Sequence, residues 1–306
     1  MNAMSVDSLT KSYHSVPALS ELSFNVENGS LYGLIGPDGA GKTTFMRIAA
    51  CLLLQDSGTV TMGTYNTLKH ASGIKQIIGY MPQRFSLYPD LSVKENLIFF
   101  ADIFGVRKKD RKKRIDKLLS FSRLDPFLGR RSGALSGGMK QKLALSCTLI
   151  HTPEILFLDE PTTGVDPVSR QEFWGLLSEI KSEGTTIVVS TPYMDEAERC
   201  DRVGFIIDGA LVMEGPPGDI PRQFKYDIVV ARAPGLVKQS RKLTFPDIVL
   251  DVQTFGDRLH LTVQNADIAV PIVRAYLEKN GIYDASLERT IPSMEDVFME
   301  HIGEKK

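Results

Sequence analysis

Two kinds of apolar pattern alternate along the chain. Short continuous runs, Leu31-Tyr32-Gly33-Leu34-Ile35, Ile77-Ile78-Gly79-Tyr80-Met81, Ile155 to Leu158 and Ile187-Val188-Val189-Ser190, predict strands buried on both faces of a parallel sheet. Between and after them, Thr43 to Leu53, Val168 to Glu183 and Met194 to Cys200 carry helical spacing. That alternation of strand and helix predicts a layered α/β domain. Ahead of it, Ser5 to Glu27 alternates apolar and polar residues over two short strands, with Leu9, Tyr13, Leu22, Phe24 and Val26 as inward positions and a turn at Asn28-Gly29. After a break at Asp56-Ser57-Gly58, Thr59 to Met62 adds a further strand to this antiparallel part.

From residue 84 to about 150 the pattern turns helical. Val93 to Phe104 is amphipathic, and Lys108 to Ser122 brings Ile115, Leu118, Leu119 and Phe121 near one face. This stretch reads as a helical insertion. Arg202 to Ile207 and Ala210 to Glu214 close the domain as a hairpin around Asp208-Gly209. Gly215-Pro216-Pro217-Gly218 then breaks both helix and strand. The residues assign to a first domain over 1–225 and a small α+β domain over 226–306. In the second domain Asp227 to Ala231 is a strand, Ile248, Leu250 and Val252 alternate on another, and Leu259, Leu261 and Val263 follow the Gly256-Asp257 turn. A helix from Asp267 to Lys279 stops at Asn280-Gly281, and Ser293 with Asp296 has the form of a capping box.

Composition narrows the setting. The 306 residues are 42% hydrophobic and 24% charged, with a net charge of -1, which gives no basis for a nucleic-acid surface. The basic run Arg107 to Arg114 is a solvated helix face, with attraction to anionic lipid headgroups as the alternative. Cys51, Cys147 and Cys200 are far apart without metal-ligand spacing and read as reduced core thiols of a cytosolic protein. No signal peptide is expected at the start, and no apolar run reaches the roughly 18 residues that a membrane span needs. Any membrane crossing is therefore expected of other chains.

The chemistry is carried by Gly36-Pro37-Asp38-Gly39-Ala40-Gly41-Lys42-Thr43-Thr44, which fits G-x-x-x-x-G-K-[ST] between a predicted strand and a predicted helix. Glycines there let backbone N–H groups converge on phosphate oxygens at a positive helix end. The lysine adds a charge, and the threonine hydroxyl suits Mg2+. A second anion-binding turn, Leu135-Ser136-Gly137-Gly138-Met139-Lys140-Gln141, opens another helix. A phosphate loop alone leaves kinases, GTPases, helicases and transporters open.

With both motifs in order, residues 5 to 215 strongly resemble the ATP-binding subunits of ABC transporters. The resemblance implies a P-loop NTPase of ABC type with ATP and Mg2+ as cofactors. It also implies a head-to-tail dimer in which Ser136, Gly137, Gly138 and Gln141 of one subunit face the phosphate loop of a second ATPase subunit. It assigns Tyr13 to stacking on adenine, and Thr43, Gln83 and Asp159 to the metal. Glu160 takes the role of general base toward the attacking water, and Gly164-Val165-Asp166 crosses the dimer interface. Tyr193-Met194-Asp195-Glu196-Ala197-Glu198 and the helix at Pro292 to Phe298 look like those of multidrug, antibiotic and polysaccharide exporters with a separate polytopic permease. Phe85, Leu87 and Tyr88 become candidates for permease contact, with core packing as the alternative. The implied location is the cytoplasmic face of the cell membrane.

Two departures stand out. Asp38 replaces the usual asparagine of the loop, and Pro192 stands where the family has a histidine that contacts the γ-phosphate. Proline offers neither a side-chain donor nor an N–H. The chain's own site is therefore expected to bind ATP but turn it over slowly, and the pairing is expected to be a heterodimer more than a homodimer. The alternative keeps hydrolysis sustained by Glu160, with Pro192 only shaping the turn. The other readings are a non-hydrolysing structural or regulatory subunit and an ABC ATPase that does not serve transport.

Overall fold

A computed structural model describes residues 1–84, 87–240 and 242–303 and divides the chain into two compact units, Met1–Pro217 and Gly218–Lys306. The first unit begins with β1 (Asn2–Tyr13) and β2 (Val16–Glu27), each far longer than the short strands read from the alternation. Repeated register shifts in their antiparallel ladder account for the difference, because each shift interrupts the period of two without ending the strand. Two of these shifts flank Lys11, and past them Tyr13 is 42% exposed instead of pointing inward. Leu9, Leu22, Phe24 and Val26 are buried as expected.

Next come β3 (Leu31–Ile35), α1 (Lys42–Ala49), β4 (Ser57–Met62), β5 (Tyr65–Asn66), α2 (Ala71–Ile77) and β6 (Ile78–Met81). The helical insertion supplies α3 (Val93–Ile103), α4 (Lys108–Ser122) and α5 (Gly137–Leu149). Then follow β7 (Ile155–Asp159), α6 (Pro167–Ser182), β8 (Thr186–Thr191), α7 (Met194–Ala197), β9 (Arg202–Ile207) and β10 (Ala210–Gly215). One sheet runs β2-β1-β4-β5, and a six-stranded sheet runs β10-β9-β3-β8-β7-β6. Ladders from β9 through β3, β8 and β7 to β6 are parallel, and β3, β7 and β8 are buried along their whole length. Parallel strands covered on both faces must be apolar throughout, which explains their continuous runs.

The core between the two sheets and α1 contains Leu9, Phe24, Tyr32, Phe45, Met46 and Val188, with Phe24 stacked on Tyr32 at 5.0 Å. A separate cluster joins α3, α4 and α5 through Val93, Leu97, Leu119, Leu143 and Cys147. Ser92 caps α3 through a reciprocal box with Glu95.

The second unit holds β11 (Asp227–Arg232), α8 (Leu236–Ser240), β12 (Val249–Phe255), β13 (Arg258–Val263), α9 (Ala266–Lys279), β14 (Ser286–Thr290) and α10 (Met294–Gly303). Its sheet runs β12-β13-β11-β14 around a core of Val229, Leu259, Leu261, Val273 and Leu277. A register shift between Val249 and Asp251 turns Leu250 outward, against the alternation expected there.

Candidate nucleotide site

The ends of β3, β6, β7 and β8 converge on one edge of the parallel sheet, where such folds bind ligands. The loop after β3 reaches α1 through Gly41, whose φ of 105° an L side chain rarely adopts and whose added Cβ would lie 2.3 Å from the Ala18 carbonyl oxygen. Glycine there lets Lys42 start the helix with its N–H groups turned toward the loop. Lys42 is nearly fully buried; its Nζ donates to the carbonyl oxygens of Gly36 at 2.8 Å and Pro37 at 3.0 Å.

Lys42 Nζ also lies 3.1 Å from Glu160 Oε1, joining the phosphate loop to the end of β7. Glu160 has a positive φ of 47°, a strained conformation for a non-glycine residue. It is held there by its N–H, which lies 3.0 Å from Ser190 Oγ and 3.2 Å from the Ser190 carbonyl oxygen. Gln83, just beyond β6, donates its Nε2–H to Glu160 Oε2 at 2.9 Å.

Asp159 is fully buried beside it. Its Oδ1 accepts from Thr43 Oγ1 at 3.1 Å and from Ser190 Oγ at 2.8 Å, while Oδ2 is buried without a hydrogen-bond partner. Burial raises the Asp159 pKa, against the two hydroxyl bonds that pull it down. The same carboxylate, after burial, pushes the Tyr80 phenol up to about 12. An orphaned carboxylate oxygen next to a threonine hydroxyl is a donor set suited to a hard cation such as Mg2+. No cluster of three or more His, Cys, Asp or Glu side chains fit for a metal occurs among the described residues, so the remaining ligands would be the side-chain oxygen of Gln83, which lines the same pocket, with oxygens of the nucleotide and water.

A pocket of about 300 Å³ opens here, lined by Asp38, Gly39, Thr43, Gln83, Glu160, Thr163, Pro192 and Tyr193. Pro192 thus stands at the wall facing the phosphate loop. Tyr13 lies at the end of β1, with Lys11 Nζ 6.0 Å from its ring centre. Gly36, Pro37, Ala40, Gly41 and Thr44 belong to the same strand-loop-helix unit.

The turn expected to form the second anion site opens α5, outside the lining of that pocket. Ser136 caps α5 by accepting the Met139 N–H at 3.3 Å, and both Ser136 and Gly137 are exposed. Gly138 packs so tightly on α6 that an added Cβ would sit 2.4 Å from Ser169. Gln141 and Gly137 line a different hollow of about 410 Å³ together with Gln83, Arg84 and Leu87. Asp166 accepts the Ser169 N–H at 3.0 Å as the cap of α6, and that bond holds its carboxyl below the usual range. Among the described residues, no part of the Ser136 turn lines the phosphate-loop pocket.

The candidate residues therefore line two hollows that share Gln83 and Thr163, with the phosphate loop in one and Gly137 and Gln141 in the other. Sequence reasoning placed Ser190 on a strand and Glu196 in an exporter-like stretch but gave no site role to Ser190, Thr162, Thr191 or Glu196, which are buried around the Glu160 turn. Only the pairing of Asp159 with Ser190 across β7 and β8 brings the first of these in, and register is not legible in one strand alone.

A phosphate loop on a parallel sheet, an antiparallel sheet beside it and a helical insertion ending in a capped Ser-Gly-Gly turn define an ABC-type ATPase. The family model for the ABC transporter matches residues 19–163, and that for the "ATP-binding protein DrrA1-3-like, C-terminal domain" matches residues 215–302. The Nod factor export ATP-binding protein I of Ralstonia nicotianae is 33% identical over 302 residues, covering 98% of this chain and 94% of that protein. The probable multidrug ABC transporter ATP-binding protein YbhF of Escherichia coli is 39% identical over 290 residues, 94% of this chain, which spans only 49% of YbhF's length. Among solved structures, the dimeric ATP-binding cassette MJ0796, in a post-hydrolysis state bound to ADP and Pi, superposes with a TM-score of 0.63 at 28% identity, over 70% of this chain and 98% of that one. This chain belongs to the ATP-binding subunits of ABC transporters.

Proposed function

We propose that the chain is the ATP-binding and hydrolysing subunit of an exporter whose permease is a separate polytopic protein, and that its own nucleotide site turns over slowly. The carrying observation is Pro192 in the wall of the phosphate-loop pocket. The site holds Lys42 and Gln83 each within hydrogen-bonding reach of Glu160, but the switch position provides no donor to charge developing on a transferred phosphoryl group.

The proposed residue roles are those that the resemblance implies. The N–H groups of Gly39 to Thr44 and the Lys42 ammonium bind the β- and γ-phosphates. Tyr13, exposed at the end of β1, offers a ring for adenine. Thr43, Asp159 and Gln83 would hold Mg2+, which would supply positive charge against the phosphate oxygens. In the structure Lys42 is paired with Glu160; a triphosphate draws Lys42 away and leaves the Glu160 carboxylate free to take a proton from the attacking water. Gln83 keeps that water aligned with Glu160.

Because Ser136, Gly137, Gly138 and Gln141 lie outside this pocket, the site is completed by the same turn of a second ATPase subunit, with Asp166 at the interface. A slow site here leaves this chain's intact Ser136 turn to serve a better-equipped partner, which favours a heterodimer. The relatives named for Nod factor export and multidrug transport support export. No helix among the described residues is long and apolar enough to cross a membrane. A peripheral position on the inner face of the membrane, held by the permease, is proposed from the kinship with ABC transporter ATP-binding subunits. Of the candidates for that contact, Tyr88 is 45% exposed, Leu87 packs against the insertion's core, and Phe85 lies outside the described residues.

The deciding experiment measures ATP hydrolysis by the purified chain, alone and with candidate ATPase partners, beside Pro192→His. Slow turnover that rises about 100-fold or more in the variant is expected, since one transition-state donor is worth about 10²–10³ in rate. Brisk hydrolysis by the unmodified chain alone, unchanged by Pro192→His, contradicts the slow-site reading.

A further inference from the structure

The turn that carries Glu160 and the turn that carries Pro192 share a single buried anchor. Glu196, on α7, has no exposed surface. Its Oε1 accepts the Thr162 hydroxyl at 2.5 Å and its Oε2 accepts the Thr191 hydroxyl at 2.5 Å. Thr162 lies two residues after Glu160, and Thr191 lies one residue before Pro192. One carboxylate thus grips both segments that border the expected position of the γ-phosphate.

The Thr191 hydroxyl also works in the other direction. While donating to Glu196 it accepts the Tyr193 N–H at 3.1 Å, so it bridges Pro192, the residue with no N–H of its own. The Tyr193 ring is covered by Arg170 from α6, whose guanidinium carbon lies 4.3 Å from the ring centre. Arg170 is also 3.4 Å from Glu196 Oε1 and 3.4 Å from Asp195 Oδ2. The network therefore runs from the Glu160 turn through Glu196 to the switch turn and on to α6, the helix that Asp166 caps.

We infer that Glu196 is a positioning residue for ATP hydrolysis, fixing the Glu160 turn and the Thr191-Pro192-Tyr193 turn to each other through the two threonine hydroxyls. The inference rests on the proposed hydrolysis at this site and names residues outside the phosphate loop on which its geometry depends. Such an anchor matters most in this chain. A histidine at the switch position adds a contact from the turn to the phosphate, whereas Pro192 leaves the turn to the Thr191–Glu196 bond, the Arg170 guanidinium over Tyr193 and the pairing of β8. A buried carboxylate with two short hydroxyl bonds and a nearby guanidinium is an expensive arrangement to keep for packing alone, because an unmatched charge there is costly. A displacement of about 1 Å in a reacting group is enough to lose about 10²-fold in rate.

The test uses the full chain with Pro192 in place, and follows hydrolysis under single-turnover conditions so that slow chemistry is read directly. Mg-ATP affinity and the single-turnover rate constant per folded molecule are compared for Glu196→Gln, Thr191→Val and Thr191→Ser. Valine keeps the shape of threonine without the hydroxyl, and serine keeps the hydroxyl. We expect affinity within about twofold of the parent, and the rate constant lowered about 10- to 100-fold in Glu196→Gln and Thr191→Val, with Thr191→Ser close to the parent. A rate constant unchanged in both deficient variants overturns the inference and leaves the hydrolysis reading intact. So does a rate constant that falls only together with ATP affinity, as general loss of structure would produce. A parent that binds Mg-ATP without hydrolysing it overturns both, which keeps the two failures distinct.

Discussion

At the residue scale, the chemistry depends on where two carboxylates and one ammonium come to rest. Asp159 and Glu160 are neighbours in sequence, yet one offers a buried, unpartnered oxygen suited to a cation and the other faces Lys42 and Gln83. The positive φ of Glu160 separates the two side chains. Glu160→Gln is therefore expected to lower hydrolysis about 10²- to 10⁴-fold while leaving Mg-ATP bound, as equilibrium dialysis and single-turnover assays would read. Lys42→Ala is expected to abolish measurable ATP affinity instead. The phosphate loop and the Ser136 turn were legible because their chemistry depends on local spacing. Ser190, Thr162 and Glu196 were not, since they reach the site only through strand register and the folding back of α7. Pro192 was legible as a departure, although its place in the pocket wall had to come from the structure.

At the scale of elements, the close approach of α5 to α6 determines where the Ser136 turn is presented. Gly138 leaves no room for a side chain against Ser169, and Lys142 of α5 pairs with Glu172 of α6. Gly138→Ala is expected to destabilise the fold by about 1–3 kcal/mol, the usual cost of overpacking, and adding Ser169→Gly is expected to restore most of the loss in thermal unfolding. A second element-level contact ties β1 to the segment before β4. Asp56 Oδ1 accepts from Lys11 Nζ at 2.6 Å and Oδ2 accepts the Ser12 N–H at 2.7 Å, which together hold its carboxyl below the ordinary 3.8. A depressed folded-state pKa gives stability that is present above the unfolded value and lost as pH falls through the folded one. Asp56→Asn is accordingly expected to lower the melting temperature at pH 7, with the gap closing as the pH drops below that ordinary value. Continuous apolar runs made the parallel strands readable. By contrast, α2 was missed because its seven residues include Gly73 and bury only Ile74, too little periodicity to register. The true lengths of β1 and β2 were hidden by register shifts, as was the outward turn of Leu250.

At the scale of the whole molecule, every residue proposed to touch nucleotide lies within Met1–Pro217, and Gly218–Lys306 has its own core around Val229, Leu261 and Val273. A fragment of residues 1–217 is expected to bind Mg-ATP with an affinity within a few-fold of the full chain, because compact units with separate cores fold independently. The proposed function makes the phosphate loop and the capped Ser136 turn two half-sites, each completed by a second ATPase subunit. The most direct measurement is the mass in solution of the Glu160→Gln chain, by sedimentation or light scattering, with and without Mg-ATP and a candidate ATPase partner. Mg-ATP is expected to drive it into a complex containing two ATPase subunits, and Ser136→Arg is expected to prevent that. A chain saturated with Mg-ATP that stays monomeric with every partner, and whose parent hydrolyses ATP equally well after Ser136→Arg, would contradict it.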